Sequence, residues 1–460
     1  MSSGQQCRAL EKRSNRPLYQ AIADAIEADI LSGRLRSGDR MPTHRDLAYR
    51  VGVTVGTVSR AYTEAGKAGW ISGEVGRGTF VLNRRAASLP RGSNAAPDVI
   101  DLRLNAPIDA VQPSLPEAFR AILSGKDRAA LLRYGPTAGT PRDQLVGANI
   151  LRRHGLNVGP QTVALCAGAQ HGVGLALETL TEPGDNILVE ELTYPAIREL
   201  AEARGLRVYP IAISAAGIAR AIGKACRTVR PKALYLNPTL HNPTGRTLSA
   251  ECRRALVAAA RQHGLMVIED DVHRLLASDA PPPIAQLMPE QTVYVASLSK
   301  CFAPGLRLGY LAAPPALRER IADAVWRSLW SISPIVTALT AHWVGTGEFD
   351  RVVSAKRREA AARQELARKI FGHHSPKTSA YHYWLELPAC WSAEAFALAA
   401  QIAAVLVTPS TAFHLGSGAP PRAVRLSLSA PSDRSMLRLG LERLRGLIER
   451  PNPAIADRSL

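Results

Sequence analysis

From Asp101 onward, short apolar runs alternate with longer amphipathic stretches, and this pattern limits the possible folds more than any other feature of the chain. Strands separated by helix-length crossovers pair side by side in one direction, so the pattern predicts an α/β domain with a largely parallel sheet. The predicted strands are Val163 to Cys166, Asn186 to Val189, Ala233 to Leu236, Met266 to Ile268, Thr292 to Ala296 and Arg307 to Ala312. Ligands of such sheets bind at the carboxyl ends of the strands. At 460 residues the chain exceeds one ordinary core and divides into two or three domains.

The stretch Ala296-Ser297-Leu298-Ser299-Lys300, followed by Arg307, sets one lysine beyond a strand, between hydroxyls and ahead of an arginine. An amine desolvated beside cationic neighbours is nucleophilic enough to condense with an aldehyde cofactor, so Lys300 is the candidate Schiff-base residue. The chain has only 9 lysines against 48 arginines, which makes a lysine in this setting less typical of surface charge. A solvated loop lysine is the plain alternative.

Other strand ends carry matching chemistry. Gly168-Ala169-Gln170 opens a helix whose backbone N–H groups can cradle a phosphate. Tyr194 can stack on a pyridine ring, and the Asn242 amide can donate to a phenolate oxygen. Asp270, in Glu269-Asp270-Asp271, can pair with a protonated ring nitrogen. Each residue alone also reads as a turn, a cap or a salt bridge; the ordered set is harder to dismiss.

The N-terminal part is different. Leu18 to Ser32 has helical apolar spacing, Thr43 caps a short helix that ends at Gly52, and Thr54 starts a third helix. Trp70 to Val81 reads as a hairpin with Arg77 at its tip. This is the layout of a winged helix-turn-helix. The net charge is +18, and residues 1–90 hold 14 Lys and Arg against 8 Asp and Glu, about twice the charge density of the rest. A basic module is the electrostatic footprint of a nucleic-acid binder. The six cysteines show no C-x-x-C pair, which argues for a reducing cytoplasm and against a zinc site, so no metal is expected. No signal peptide or membrane span is read from the chain.

Residues 16 to 82, through Pro17-Leu18-Tyr19, Met41-Pro42-Thr43-x-Arg45-x-Leu47-Ala48, Thr57-Val58-x-x-Ala61-Tyr62 and Gly78-Thr79-Phe80-Val81, resemble the winged helix-turn-helix of GntR-type bacterial transcription regulators. The resemblance implies DNA contacts by Thr43, Arg45, Thr54, Thr57 and Arg60, with Arg77 in the wing. Residues 100 to 450 resemble the fold-type I aminotransferases. That likeness implies pyridoxal 5′-phosphate on Lys300, with Asp270 at its pyridine nitrogen, Asn242 at its 3′-oxygen and Tyr194 against the ring. Gly168, Ala169, Gln170, Ser297, Ser299 and Arg307 would surround the phosphate, Tyr134 would reach the phosphate of a neighbouring subunit in a dimer, and Arg425 would clamp a carboxylate. His273 stands where that family usually has a tyrosine; it is expected to replace the tyrosine at the 3′-oxygen and, titrating near neutral pH, to alter the cofactor's spectrum.

Together the two parts resemble the MocR subfamily. The implied organisation is a tail (1–15), a winged helix-turn-helix (16–82), a linker (83–98), a large cofactor-binding domain (99–345), a small α+β subdomain (346–450) and a tail (451–460). The implied function is a homodimeric, cytoplasmic transcription regulator that binds operator DNA and senses pyridoxal phosphate or an amino-compound effector through Schiff-base chemistry at Lys300. The alternative is a fold-type I aminotransferase with a secondary DNA-binding module; slow half-transamination is compatible with either.

Overall fold

The computed structural model describes residues 17–31, 35, 39–67, 70–74, 78–81, 99–109, 111–126, 128–214, 216–372 and 378–449. The expected tails, linker and wing-tip Arg77 lie outside them. The chain divides into two compact units, residues 1–88 and 89–460.

In the first unit three helices precede a hairpin: α1 (Leu18–Leu31), α2 (His44–Val51), α3 (Val55–Lys67), β1 (Ile71–Glu74) and β2 (Gly78–Val81). The Thr43 hydroxyl accepts from the Asp46 N–H at 3.2 Å and so caps α2, which supplies a backbone donor with an acceptor it would otherwise lack. Gly52, at φ 73°, ends the helix in the left-handed region. Thr54 likewise accepts from Thr57 N at 3.2 Å. Ile22, Ile26, Ala48, Val58, Tyr62, Trp70 and Val81 bury against one another, so all five elements contribute to one core. In the hairpin Ile71 pairs with Val81 and Glu74 with Gly78.

The second unit is built on a seven-stranded sheet of β3 (Val163–Cys166), β4 (Asn186–Glu190), β5 (Arg207–Ile211), β6 (Ala233–Leu236), β7 (Met266–Asp270), β8 (Thr292–Ser297) and β9 (Gly309–Ala312). Their order is β3-β9-β8-β7-β6-β4-β5. All are parallel except β9, which runs against both neighbours. β6 and β8 are buried at every residue, which is why they read as continuous apolar runs.

Three sequence expectations change. Arg307 and Leu308 lie before β9 instead of inside it, because Arg307 sits in a left-handed turn at φ 48°. β7 runs on through Asp270, so the acidic triplet begins inside the strand. β5 was not anticipated.

Farther along, β10 (His382–Glu386), β11 (Thr408–Pro409) and β12 (Ala423–Ser427) form a small sheet in the order β10-β12-β11. Ile100–Asp101, at the start of this unit, pair with Val405–Leu406, and Ile100 and Leu102 join the core of the small sheet. Among the described residues no helix is long and apolar enough to cross a membrane.

Candidate functional site

A cavity of about 250 Å³ opens at the carboxyl ends of the parallel strands. Its lining includes Ala169, Gln170, Tyr194, Asn242, Asp270, His273, Ser297, Ser299, Lys300, Arg307 and Arg425. Because β9 runs antiparallel, its beginning lies at this same end, and that brings Arg307 to the site. Gly168 is in the left-handed region at φ 81°, and a Cβ there would come within 2.9 Å of the Arg307 guanidinium. Glycine takes that backbone conformation without strain and leaves the guanidinium where it is.

One side of the cavity is suited to an anion. A helix, α4 (Ala169–Leu180), begins there without a side-chain cap, and Ala169 and Gln170 of its first turn line the cavity. Ser299 N–H donates to Ser297 Oγ (3.1 Å), and Arg307 donates to Ser299 Oγ (3.2 Å). The backbone of Arg307 is held in a region a non-glycine residue occupies at a cost of about 1–3 kcal/mol, which fits a residue placed for binding.

The lining also holds buried polar groups without partners among the described residues: Asp270 Oδ1, Arg425 Nε and both ring nitrogens of His273. Asp270 is 5% exposed, and burial pushes its carboxyl up to about 6, with a hydrogen bond from Tyr235 working in the opposite direction. Burial, then the charge of Arg425, pulls the Lys300 amine down to about 8. Lys300 is therefore far closer to a free nucleophile at neutral pH than an ordinary lysine.

His273 departs from the expectation that it titrates near neutral pH. Burial, then His382, Lys300 and Arg425, hold it well below the usual imidazole range, so it is neutral. Its neighbour His382 accepts from the Asn105 amide at Nδ1 (3.2 Å) and donates from Nε2 to the His241 carbonyl (2.8 Å), an arrangement that requires the neutral Nε2–H tautomer.

Four carbonyls of the turn that follows Leu102 are bound by side-chain donors. Arg425 donates to Arg103 O, Lys300 to Asn105 O, Ser429 to Ala106 O and Lys356 to Ile108 O. Arg425 is fully buried, donates also to Asn242 Oδ1 at 2.9 Å, and lies 4.8 Å from the Phe413 ring centroid.

Asn105, Tyr235 and Asn237 belong to the site or its wall but were not anticipated. Tyr235 donates to Asp270 Oδ2 (2.8 Å), and Asn237 Nδ2 to Asp270 O. Tyr134 is absent from the cavity of its own chain; it is 86% exposed and packs 5.5 Å from Trp330. In the N-terminal unit Thr43, Arg45, Thr54 and Arg60 are exposed and Thr57 is half-buried. The Arg60 guanidinium lies 4.1 Å from the Tyr19 ring centroid.

These groups fit one kind of molecule: an aromatic phosphate monoester with an aldehyde, a ring nitrogen and a ring oxygen. The helix end, hydroxyls and Arg307 match the phosphate, and the orphaned Asp270 oxygen matches a protonated ring nitrogen.

Residues 97–444 match the family described as aminotransferase class I and II, and residues 18–81 match the bacterial regulatory proteins of the gntR family. The chain is 29% identical over 442 residues to the uncharacterized HTH-type transcriptional regulator YdeF of Bacillus subtilis, covering 95% of this chain and 96% of that protein. It is 28% identical over 422 residues to the vitamin B6 salvage pathway transcriptional repressor PtsJ of Salmonella typhimurium, covering 90% and 94%. Among solved structures it is similar to LysN, the α-aminoadipate aminotransferase of Thermus thermophilus complexed with N-(5′-phosphopyridoxyl)-L-leucine, at TM-score 0.68 and 22% identity, covering 79% and 96%.

Proposed function

From the premise that the chain belongs to the class I and II aminotransferase family and carries a gntR-family module at its N-terminus, we propose that it is a pyridoxal phosphate-dependent transcription regulator of MocR layout. The observation that carries this reading is the convergence of Lys300, Asp270, Arg307 and Arg425 on one cavity in a chain that also holds a winged helix-turn-helix. When bound, pyridoxal phosphate supplies an aldehyde that condenses with amines and a ring that withdraws electrons.

The residues around it have distinct tasks. Lys300 presents a desolvated amine, and Asp270 Oδ1 holds the proton on the ring nitrogen. Asn242 and the neutral His273 face the ring oxygen, while Tyr194 packs against the ring. Gly168 and the first residues of α4, Ala169 and Gln170, join Ser297, Ser299 and Arg307 in binding the phosphate. Arg425 receives the carboxylate of an amino-compound effector through a bidentate pair. Tyr134, exposed on its own subunit, reaches the site of a second copy in a homodimer.

α2 and α3, with Thr43 and Thr54 just ahead of them, present Thr43, Arg45, Thr54, the half-buried Thr57 and Arg60 toward duplex DNA, in the cytoplasm where that DNA lies. Effector binding changes DNA affinity only by as much as the effector favours one conformation over another. A true aminotransferase uses the same Lys300 and Asp270 but has no need of the winged helix, and the relatives similar to this chain over nearly its full length are transcription regulators.

The test pairs two measurements on wild type and Lys300→Ala. Wild type incubated with pyridoxal phosphate should show a borohydride-reducible absorbance at about 400–430 nm that the variant lacks. Wild type should also enrich a specific sequence from a random duplex library, with enrichment changed by the cofactor. No absorbance in wild type, or no sequence enrichment, would sink the reading.

A further inference from the structure

Within the sheet, β6 and β7 run side by side in the same direction with Tyr235 opposite Ile268. Side chains alternate across a strand, so Asp270 lies on the same face as Ile268, one pleat farther along. A phenol is long enough to span that diagonal. The Tyr235 hydroxyl lies 2.8 Å from Asp270 Oδ2, and because a carboxylate only accepts, Tyr235 is the donor. Tyr235 is 0% exposed and lies behind the cavity wall, so it acts on a ligand only through Asp270.

The remaining contacts of Asp270 give this bond its consequence. Asn237 Nδ2 donates to the Asp270 carbonyl, and Asn237 Oδ1 accepts from Asn242 N–H at 3.0 Å, so the main chain at Asp270 is held from the same strand end. With Oδ2 taken by Tyr235, Oδ1 is the oxygen left without a partner, on a residue that lines the cavity. We propose that Tyr235 is a positioning residue that holds Oδ2 of Asp270 and so aims Oδ1 at the ring nitrogen of the cofactor, an inference that rests on the cavity taking pyridoxal phosphate.

The bond has an electrostatic side as well. The titratable groups facing Asp270 are Tyr235, Tyr194, Asp271 and Lys300. Burial and the Asp271 charge favour the neutral carboxyl, whereas the Tyr235 hydroxyl, then the Val272 backbone N–H and the charge of Lys300, favour the carboxylate. Burial and the neighbouring Asp270 carboxylate hold the Tyr235 phenol far above its usual range, so it remains a donor at every working pH. Phenylalanine at this position would fill the same space and donate nothing.

The experiment measures pyridoxal phosphate affinity of the full chain between about pH 5 and 9, by absorbance, for wild type, Tyr235→Phe, Asp270→Asn and the double variant. A ring that arrives protonated needs an ionised Asp270, so wild-type affinity should fall off below about pH 6, where burial has placed the Asp270 carboxyl. In Tyr235→Phe that acid limb should move up by about one unit, so binding should be about twofold weaker at about pH 7, about tenfold weaker near pH 5, and close to wild type at the alkaline end. In the Asp270→Asn background, adding Tyr235→Phe should change nothing. An unmoved acid limb, or an equal loss in both backgrounds, would mean that Tyr235 only packs the sheet, and the inference would fall. Absence of saturable binding by wild type at every pH would instead overturn the functional reading, and this inference with it.

Discussion

Asn242 Oδ1 accepts a hydrogen bond from the Arg425 guanidinium at 2.9 Å, joining residues 183 positions apart in sequence. The first is assigned to the ring oxygen of the cofactor and the second to the effector carboxylate, so the two binding functions share a contact. Asn242→Ala should weaken cofactor binding and also remove an acceptor from a fully buried cation, at a stability loss of about 1–3 kcal/mol. Denaturant unfolding in the absence of cofactor isolates the second effect; stability equal to wild type would show that the bond contributes nothing.

The depressed Lys300 amine has two readable consequences. Cofactor capture, followed by stopped-flow absorbance, should speed up as pH rises through about 8 and level off above it, since the neutral amine attacks. Between that value and the ordinary lysine range near 10.4 the unfolded chain binds more protons than the folded one, so stability should rise with pH across this window. Lys300→Met should flatten that rise. A midpoint of capture near the ordinary range would contradict the desolvated environment.

Arg253 is fully buried and lies 3.5 Å from Glu269, while donating also to Thr239 Oγ1 at 3.0 Å. Replacement by Met leaves Glu269 without its countercharge and should cost about 3–5 kcal/mol at neutral pH or above. Burial, then the Asp271 charge, already push Glu269 up to about 7. Its neutral form tolerates the loss better, so unfolding experiments should find Arg253→Met closer to wild type at pH 6 than at pH 8. Equal losses at the two pH values would show that Glu269 titrates elsewhere.

Thr43 is both the cap of α2 and a proposed DNA contact. Thr43→Ala should lower the stability of the winged-helix unit by about 1 kcal/mol, and Thr43→Ser should restore it because serine caps equally well. If DNA binding stays weak in the serine variant while stability returns, the threonine methyl touches the duplex; if both return, the hydroxyl accounts for the whole effect.

What was legible in the sequence follows from where each signal resides. β6 and β8, buried on both faces, are uninterrupted apolar runs and were placed almost to the residue. The edge strand β5 contains Arg207 and Pro210 and buries only Ile211 fully, so it carries no such run. Arg307 looked like the start of a strand because nothing in the neighbouring residues announces its left-handed turn. Lys300, Asp270 and Asn242 were singled out because each follows an apolar run that reads as a strand, where position alone implies a site; Arg425 was singled out only through the family resemblance, since no strand was read around it. Tyr235 was invisible for a different reason: its role depends on strand register, which joins it to a residue 35 positions away. The neutral state of His273 comes from burial among cations drawn from distant segments.

The turn after Leu102 gives the binding site a competitor made of its own main chain. Arg425 and Lys300 spend donors on the carbonyls of Arg103 and Asn105, two residues apart. A ligand group that claims either donor must outbid a carbonyl already in place, so the affinity observed is an exchange energy and not the strength of the new contact. A ligand that claims only one leaves the turn tethered by the other and by Ser429 and Lys356. One that claims both still leaves the segment held by Ser429 at Ala106 and by Lys356 at Ile108, so any loosening is confined to the stretch whose Leu104 and Asn105 line the cavity.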